Sequence, residues 1–356
     1  MPADCERRRV HRARPSCGPA RLGAVVLLVV TGACAAAASN TLPVFVRDFA
    51  DQGSSPGELL YPQGITVDAQ GLVYVADTDN DRVACFDSTG AYLGGWGSFG
   101  TGPGQLDNPT DLEASPSGHV YVVDRGNIRV QQFTTAGVFV RAWGAEGSEP
   151  GQFLVPFAIG IAPDGAVYVS DPGRDCILRF SSTGAFLNEW GEPGAGPGQF
   201  NSPLGVAVDA AGNVFVSDTN ANYVQKFSPT GDLLARWGGR GEFPGAFETA
   251  FGICVDPSGD VFVVDHHNFR VQKFSNDGGW LGMWGTKGTG PYQFESSHGM
   301  TCDARGRFYI LDFSGYPACC YVQEYVYAPV AVRGATWSEI KAVYRPEGST
   351  PRERSH

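Results

Sequence analysis

The chain has 356 residues, 42% of them apolar and 18% charged, with 48 Gly and 24 Pro. This is a globular composition, and its wealth of glycine and aromatics, without Ala-Leu-Glu-Lys patterning, favours short strands and tight turns over helices. The net charge of −11 and the lack of any Lys/Arg cluster beyond residue 38 disfavour nucleic acid as a partner, because an acidic surface repels phosphate backbones.

The N-terminus reads as an export signal over residues 1–38. Arg7, Arg8, Arg9, Arg12, Arg14 and Arg21 form a basic region, Leu22 to Val30 an apolar stretch, and Thr31 to Ala38 a run of small residues. The apolar stretch is shorter than the roughly 20 residues of a spanning helix. Cleavage is expected at Ala33-Cys34-Ala35 or Ala36-Ala37-Ala38. Val30-Thr31-Gly32-Ala33-Cys34 also loosely resembles a bacterial lipoprotein box, which would make Cys34 a lipid anchor and the only membrane attachment. Without residues 1–38 the chain carries 20 Lys+Arg (26 less 6) against 35 Asp+Glu (37 less 2), a net of −15. The expected location is periplasmic, cell-surface or extracellular, and the expected state is a monomer.

From residue 39 to 326 the chain repeats. Asp77, Asp124, Asp171, Asp218, Asp265 and Asp312 recur every 47 residues. Trp96, Trp143, Trp190, Trp237 and Trp284 keep that spacing, as do Phe86, Phe133, Phe180, Phe227 and Phe274, and the six glycines from Gly71 to Gly306. Each unit reads as four short strands. In the first unit these are Gly64 to Asp68, Leu72 to Ala76, Arg82 to Phe86 and Ala91 to Trp96, with turn chemistry at Asp77-Thr78-Asp79-Asn80 and Ser88-Thr89-Gly90. Four strands per 40 to 50 residues predicts an all-β, six-bladed β-propeller of four-stranded antiparallel blades.

The residues carry a family resemblance. Gly-Pro-Gly-Gln-Phe-Asn-Ser-Pro-Leu-Gly-Val-Ala-Val-Asp (196–209), Gly-Asn-Val-Phe-Val-Ser-Asp-Thr-Asn (212–220) and Tyr-Val-Gln-Lys-Phe (223–227) resemble an NHL repeat, and five further copies match between residue 41 and about 326. The resemblance specifies the fold and says little about function. Ring closure is also legible. Phe49 lies 47 residues before Trp96, and Phe45-Val46-Arg47 mirrors Phe139-Val140-Arg141, so the N-terminal strand is expected to complete the last blade. That pairing hides both free edges.

Candidate chemistry was sought where one unit departs from its siblings on the loop face, since loops vary without disturbing sheets. Asp111 and Glu113 stand alternately on one inner strand, where siblings carry mostly Gly, Ala or Thr, so both side chains face one way. They could bind a cation or act in acid/base chemistry, or be acids satisfied by water and backbone. His298 occupies the channel-mouth slot that elsewhere holds Gln63, Thr110, Phe157, Leu204 and Phe251. This slot resembles one of the zinc histidines of the NHL-like amidating lyases, but no second or third histidine occupies a matching slot. Lactonase-type propellers hold calcium with Glu, Asn and Asp, and no channel asparagine accompanies Asp111 and Glu113 here. His266-His267 lie in the second-to-third-strand turn of the fifth unit. Arg174 replaces an Asn found in three other units and could meet an acidic partner.

Of Cys85, Cys176, Cys254, Cys302, Cys319 and Cys320, none has zinc-ribbon spacing, and their disulfide pairing is open. Cys319 and Cys320 fall in a loop lengthened by four residues, since Val322 follows Val271 by 51 rather than 47. Beyond the repeat, residues 327–356 form a tail in which Thr336-Trp337-Ser338-Glu339 predicts one short helix. Phosphate-loop, zincin and EF-hand motifs are missing from the sequence.

These readings favour an exported, non-catalytic binding scaffold that recognises a protein, peptide or glycan through its loop face. Gln63, Asp111, Glu113, Phe157, Arg174, Phe251, His267 and His298 are its candidate contacts. The alternative is a metal-dependent lyase or hydrolase with calcium or zinc in the channel, on Asp111, Glu113 and His298. The scaffold itself requires no cofactor.

Overall fold

The computed structural model describes residues 43–313 and 322–327, which form six four-stranded antiparallel sheets arranged as the blades of a propeller. The expected signal segment with Cys34, the lengthened loop with Cys319 and Cys320, and the helix expected in the C-terminal tail lie outside the described residues. Among those described, no helix is long and apolar enough to cross a membrane.

The first blade contains Gly64–Val67, Val73–Asp77, Arg82–Phe86 and Tyr92–Trp96, counted outward from the axis. Its second strand is buried throughout, whereas its outer strand alternates half-buried with exposed residues. That is the period-2 pattern of a sheet edge meeting water, set against a strand packed on both faces. Inner strands of neighbouring blades lie side by side around the axis. A Cβ at Gly252 would lie 2.1 Å from the His298 carbonyl oxygen, so the tightest part of the wall admits only glycine.

The 47-residue series acquire physical roles. Each outer-strand Trp leaves its own blade and packs on the next. The Trp96 ring lies 5.7 Å from Tyr74 in its own blade and 5.8 Å from Phe133 in the following one. A Cβ on Gly137 of that next blade would stand 2.8 Å from the Trp96 ring, and φ at Gly137 is +79°. Glycine there serves both the turn and the ring.

The repeated Asp ends the second strand and organises the turn after it. Asp77 accepts from the Leu60 amide at 2.6 Å, from Asn80 at 2.9 Å and from the Arg82 guanidinium at 2.7 Å. Arg82 also donates to the Glu58 carbonyl at 2.7 Å, fixing the loop that enters the blade. Blades two and five repeat the set with Asp124, Asn127, Arg129 and Asp265, Asn268, Arg270. Blades three and four do not, because Cys176 and Tyr223 replace the arginine. Asp171 compensates by accepting three backbone amides, those of Leu154, Val155 and Gly173. Asp218 is fully buried, and one of its oxygens has no partner.

The ring closes as its sequence predicts. The N-terminal strand Val44–Phe49 pairs antiparallel with Val322–Val326, which continues through Arg307–Asp312 to the inner strand Ser297–Cys302. Arg47 meets the buried Glu324 at 2.9 Å. Phe49 takes the place of tryptophan, resting on Phe86 at 5.3 Å and against Gly90, the counterpart of Gly137.

Candidate functional site

The axis encloses a cavity of about 110 Å³ lined by all six inner strands. Five of the residues singled out from sequence, Gln63, Asp111, Glu113, Phe157 and Phe251, line it. They fall into two layers, carboxyls within the channel and aromatic rings at its mouth.

Asp111 stands where four of its five siblings are glycine. Its carboxylate accepts from the Ile159 amide of the next blade at 2.9 Å. Glu113 accepts from the Thr66 hydroxyl at 3.1 Å, and the same hydroxyl accepts from the Ala114 amide at 3.2 Å. Neither acid faces a cation. Loss of water inside the channel raises Asp111 to about 7, against the pull of the Ile159 and Leu112 amides. Glu113 is raised to about 8, by desolvation first and then by its neighbour Asp111. At pH 7 Glu113 therefore keeps its proton and Asp111 is close to half-protonated, so the pair can donate a hydrogen bond as well as accept one.

The mouth is an arc of rings. Phe157 and Phe251 meet edge to face at 6.0 Å, and Phe251 meets His298 in the same way at 4.6 Å. His298 stacks on Phe313 at 4.6 Å with an interplanar angle of 3°, and Phe313 meets the exposed Tyr61 at 5.6 Å. The polar backbone pins these rings. Thr110 donates to the Phe157 carbonyl at 2.7 Å, and Ser217 to that of Phe251. Burial and the adjacent His266 push His298 down to about 4, so its ring is neutral at pH 7.

His298 and the two acids thus occupy different layers. Its electrostatic neighbours are His266 and His267, whereas Asp111 and Glu113 act on each other. Among the described residues no three His, Cys, Asp or Glu side chains converge as metal ligands. The three-ligand open arrangement of a catalytic zinc is not assembled there.

His267 is exposed at the rim and shares a 2.6 Å hydrogen bond with Thr249. Its neighbour His266 enters the mouth, 4.9 Å from His298, with Nδ1 at 2.7 Å from the Ser297 carbonyl. A signal for this was present in the repeat. His266 holds the slot of Thr78 and Thr219, whose hydroxyls reach the next inner strand at Pro109 and Ala250. Phe313 and Arg125 share this slot, and the Arg125 guanidinium lies 6.0 Å from the Phe157 ring centre. Sequence reading missed these two and Tyr61, because their contacts cross between blades. Arg174 is taken up inside its own blade, bonding Glu189 at 2.7 Å and the Gln152 carbonyl at 3.0 Å.

Known proteins share both the repeat and the ring. An NHL repeat model matches residues 59–86, 106–133, 200–227 and 252–274. Protein lin-41 of Caenorhabditis elegans is 46% identical over 48 residues, which are 14% of this chain and 4% of that protein. A streptogramin B lyase structure superposes with a TM-score of 0.57 at 14% identity, covering 80% of this chain and 97% of the lyase. A gluconolactonase from Xanthomonas campestris gives a TM-score of 0.56 at 17% identity, covering 80% and 98%. At such identities the two structures testify to the fold.

Proposed function

We propose, for a chain built of NHL repeats closed into a six-bladed propeller, that it is an exported, non-catalytic binding scaffold whose partner docks on the aromatic channel mouth. The carrying observation is the arc Phe157, Phe251, His298, Phe313 and Tyr61, partly exposed, uncharged and held by neighbouring rings and backbone. Pre-positioned rings offer flat apolar contact at little entropic cost. Below them, the Asp111–Glu113 pair, which keeps a proton at neutral pH, can donate to a ligand oxygen. This combination suits a peptide or protein loop bearing an aromatic or proline, or the face of a sugar ring with its hydroxyls. The pattern of residues 1–38 supports export.

The test is a screen of peptide and glycan arrays with the chain lacking residues 1–38, followed by calorimetry. Phe251→Ala should weaken a recovered ligand by at least about tenfold, as loss of a central aromatic anchor does. A ligand that binds equally well to Phe251→Ala and Phe157→Ala would refute this surface.

One observation favours a second reading, a lyase or hydrolase. Two adjacent carboxyls raised to about 7 and 8 are poised for proton transfer at neutral pH. A metal in that enzyme would rest on Asp111 and Glu113 alone, with His298 outside their layer. Elemental analysis after dialysis separates the readings. About one equivalent of calcium or zinc, lost on Asp111→Ala, would favour the enzyme.

A further inference from the structure

Cys254 and Cys302 face each other across the interface of the fifth and sixth blades, and the repeat explains why. On each inner strand the residue equivalent to Thr66 points forward and meets the residue 48 positions later, on the next blade. Thr66 meets Ala114 in this way, its hydroxyl 3.2 Å from the Ala114 amide. The equivalent positions around the ring are Glu113 and Ile161, Gly160 and Val208, Ala207 and Val255, and Thr301 and Val67, and a Cβ on Gly160 would lie 3.1 Å from the Val208 side chain. At one interface both positions are cysteine. Cys254 and Cys302 pack together in one apolar cluster, and the Cys302 thiol donates to the Val255 carbonyl at 3.3 Å. Both residues line the channel cavity, so a small solute in the channel can reach them. Cys85 and Cys176 are free and buried in two other hydrophobic clusters.

We propose that Cys254 and Cys302 are an oxidisable pair that closes a disulfide between the inner strands of blades five and six. Hydrogen peroxide, small enough for the channel, is a sufficient oxidant. Its O–O bond breaks on attack by the Cys302 sulfur, giving a sulfenic acid and one water. The Cys254 sulfur then displaces the hydroxyl group as a second water, forming the S–S bond. Two thiols lose two electrons and two protons, and one peroxide becomes two waters. The disulfide ties the fifth blade to the sixth, whose outer strand comes from the other end of the chain. It closes the chain from residue 254 to residue 302 into a loop and so restricts the unfolded ensemble.

The test uses the full chain, treated with peroxide, alkylated under denaturing conditions and digested. The expected product is a cross-linked 254–302 peptide pair lighter by two hydrogen atoms, with Cys85 and Cys176 still alkylated. A thiol reductant should reverse it. Cys254→Ala and Cys302→Val, residues used in this layer by sister blades, should each abolish the cross-link. They should also abolish the rise in melting temperature that oxidation produces in the native chain. Separate alkylation of Cys254 and Cys302 after oxidation, sulfinic acids without a cross-link, or a bridge from either residue to another cysteine would overturn the proposal. Peptide mapping of the native chain decides the point even if a variant fails to fold.

Discussion

Asp218 is the buried acid that its blade leaves short of partners, and replacing it by asparagine should stabilise the protein increasingly as pH rises. In the first blade the equivalent Asp77 is held by Asn80 and Arg82. In the fourth blade Ala221 and Tyr223 stand in those positions. Asp218 keeps the Asn201 amide at 2.8 Å, while its second oxygen is bare. Desolvation, assisted by Asp175, raises it from 3.8 to about 7, against the Asn201 and Ala221 amides and Arg236. Between those values the native state keeps a proton that the unfolded chain has released, so stability falls as pH climbs through the window. At about 1.4 kcal/mol per pH unit, the interval is worth up to roughly 4 kcal/mol by pH 8. The assay is urea unfolding of the native chain and Asp218→Asn at pH 4 and pH 8. The difference in unfolding free energy between the two proteins isolates this group from other titrating acids. It should move in favour of asparagine by a few kcal/mol between the two pH values. A difference constant within about 0.5 kcal/mol, the ordinary error of additivity, would refute the reasoning.

Deleting residues 41–49 removes the outer strand of the sixth blade together with the Arg47–Glu324 pair and Phe49. The truncated chain should show no cooperative melt, and a normal transition by circular dichroism would contradict ring closure by pairing. Carboxyl NMR of glutamate-labelled protein should show Glu113 titrating near 8, and Thr66→Val should move it higher by removing the donor that favours the ionised form. A value near the ordinary 4.5 would show that water in the channel solvates the Glu113 carboxylate. Gly137→Ala should cost more than about 1 kcal/mol in denaturant midpoints, from its left-handed backbone and from overlap with Trp96.

How much was legible depended on whether the relevant contact lay within a repeat unit or between units. Strand order, the six blades, the Asp-centred turns and the closing strand follow from spacing alone, because a 47-residue period copies one local solution six times. Asp111, Glu113 and His298 stood out as departures from that period and Phe157 and Phe251 as aromatics of the mouth slot, and the structure places all of them on the channel or its mouth. It also assigns Arg174 to Glu189 within its own blade.

The remainder needed the ring. His266, Phe313 and Tyr61 join the mouth because inner strands of different blades converge there, a proximity with no counterpart along the chain. Cys254 and Cys302 meet for the same reason, 48 residues apart in sequence yet in contact across one interface. The protonation of Asp111 and Glu113 likewise depended on tertiary structure, since a carboxyl's affinity for its proton is set by how much water the surrounding strands exclude. Sequence by itself determined the repeat, and with it which residues face the axis. Which of those residues touch, and in what state of charge, was decided by closing six blades around a narrow channel.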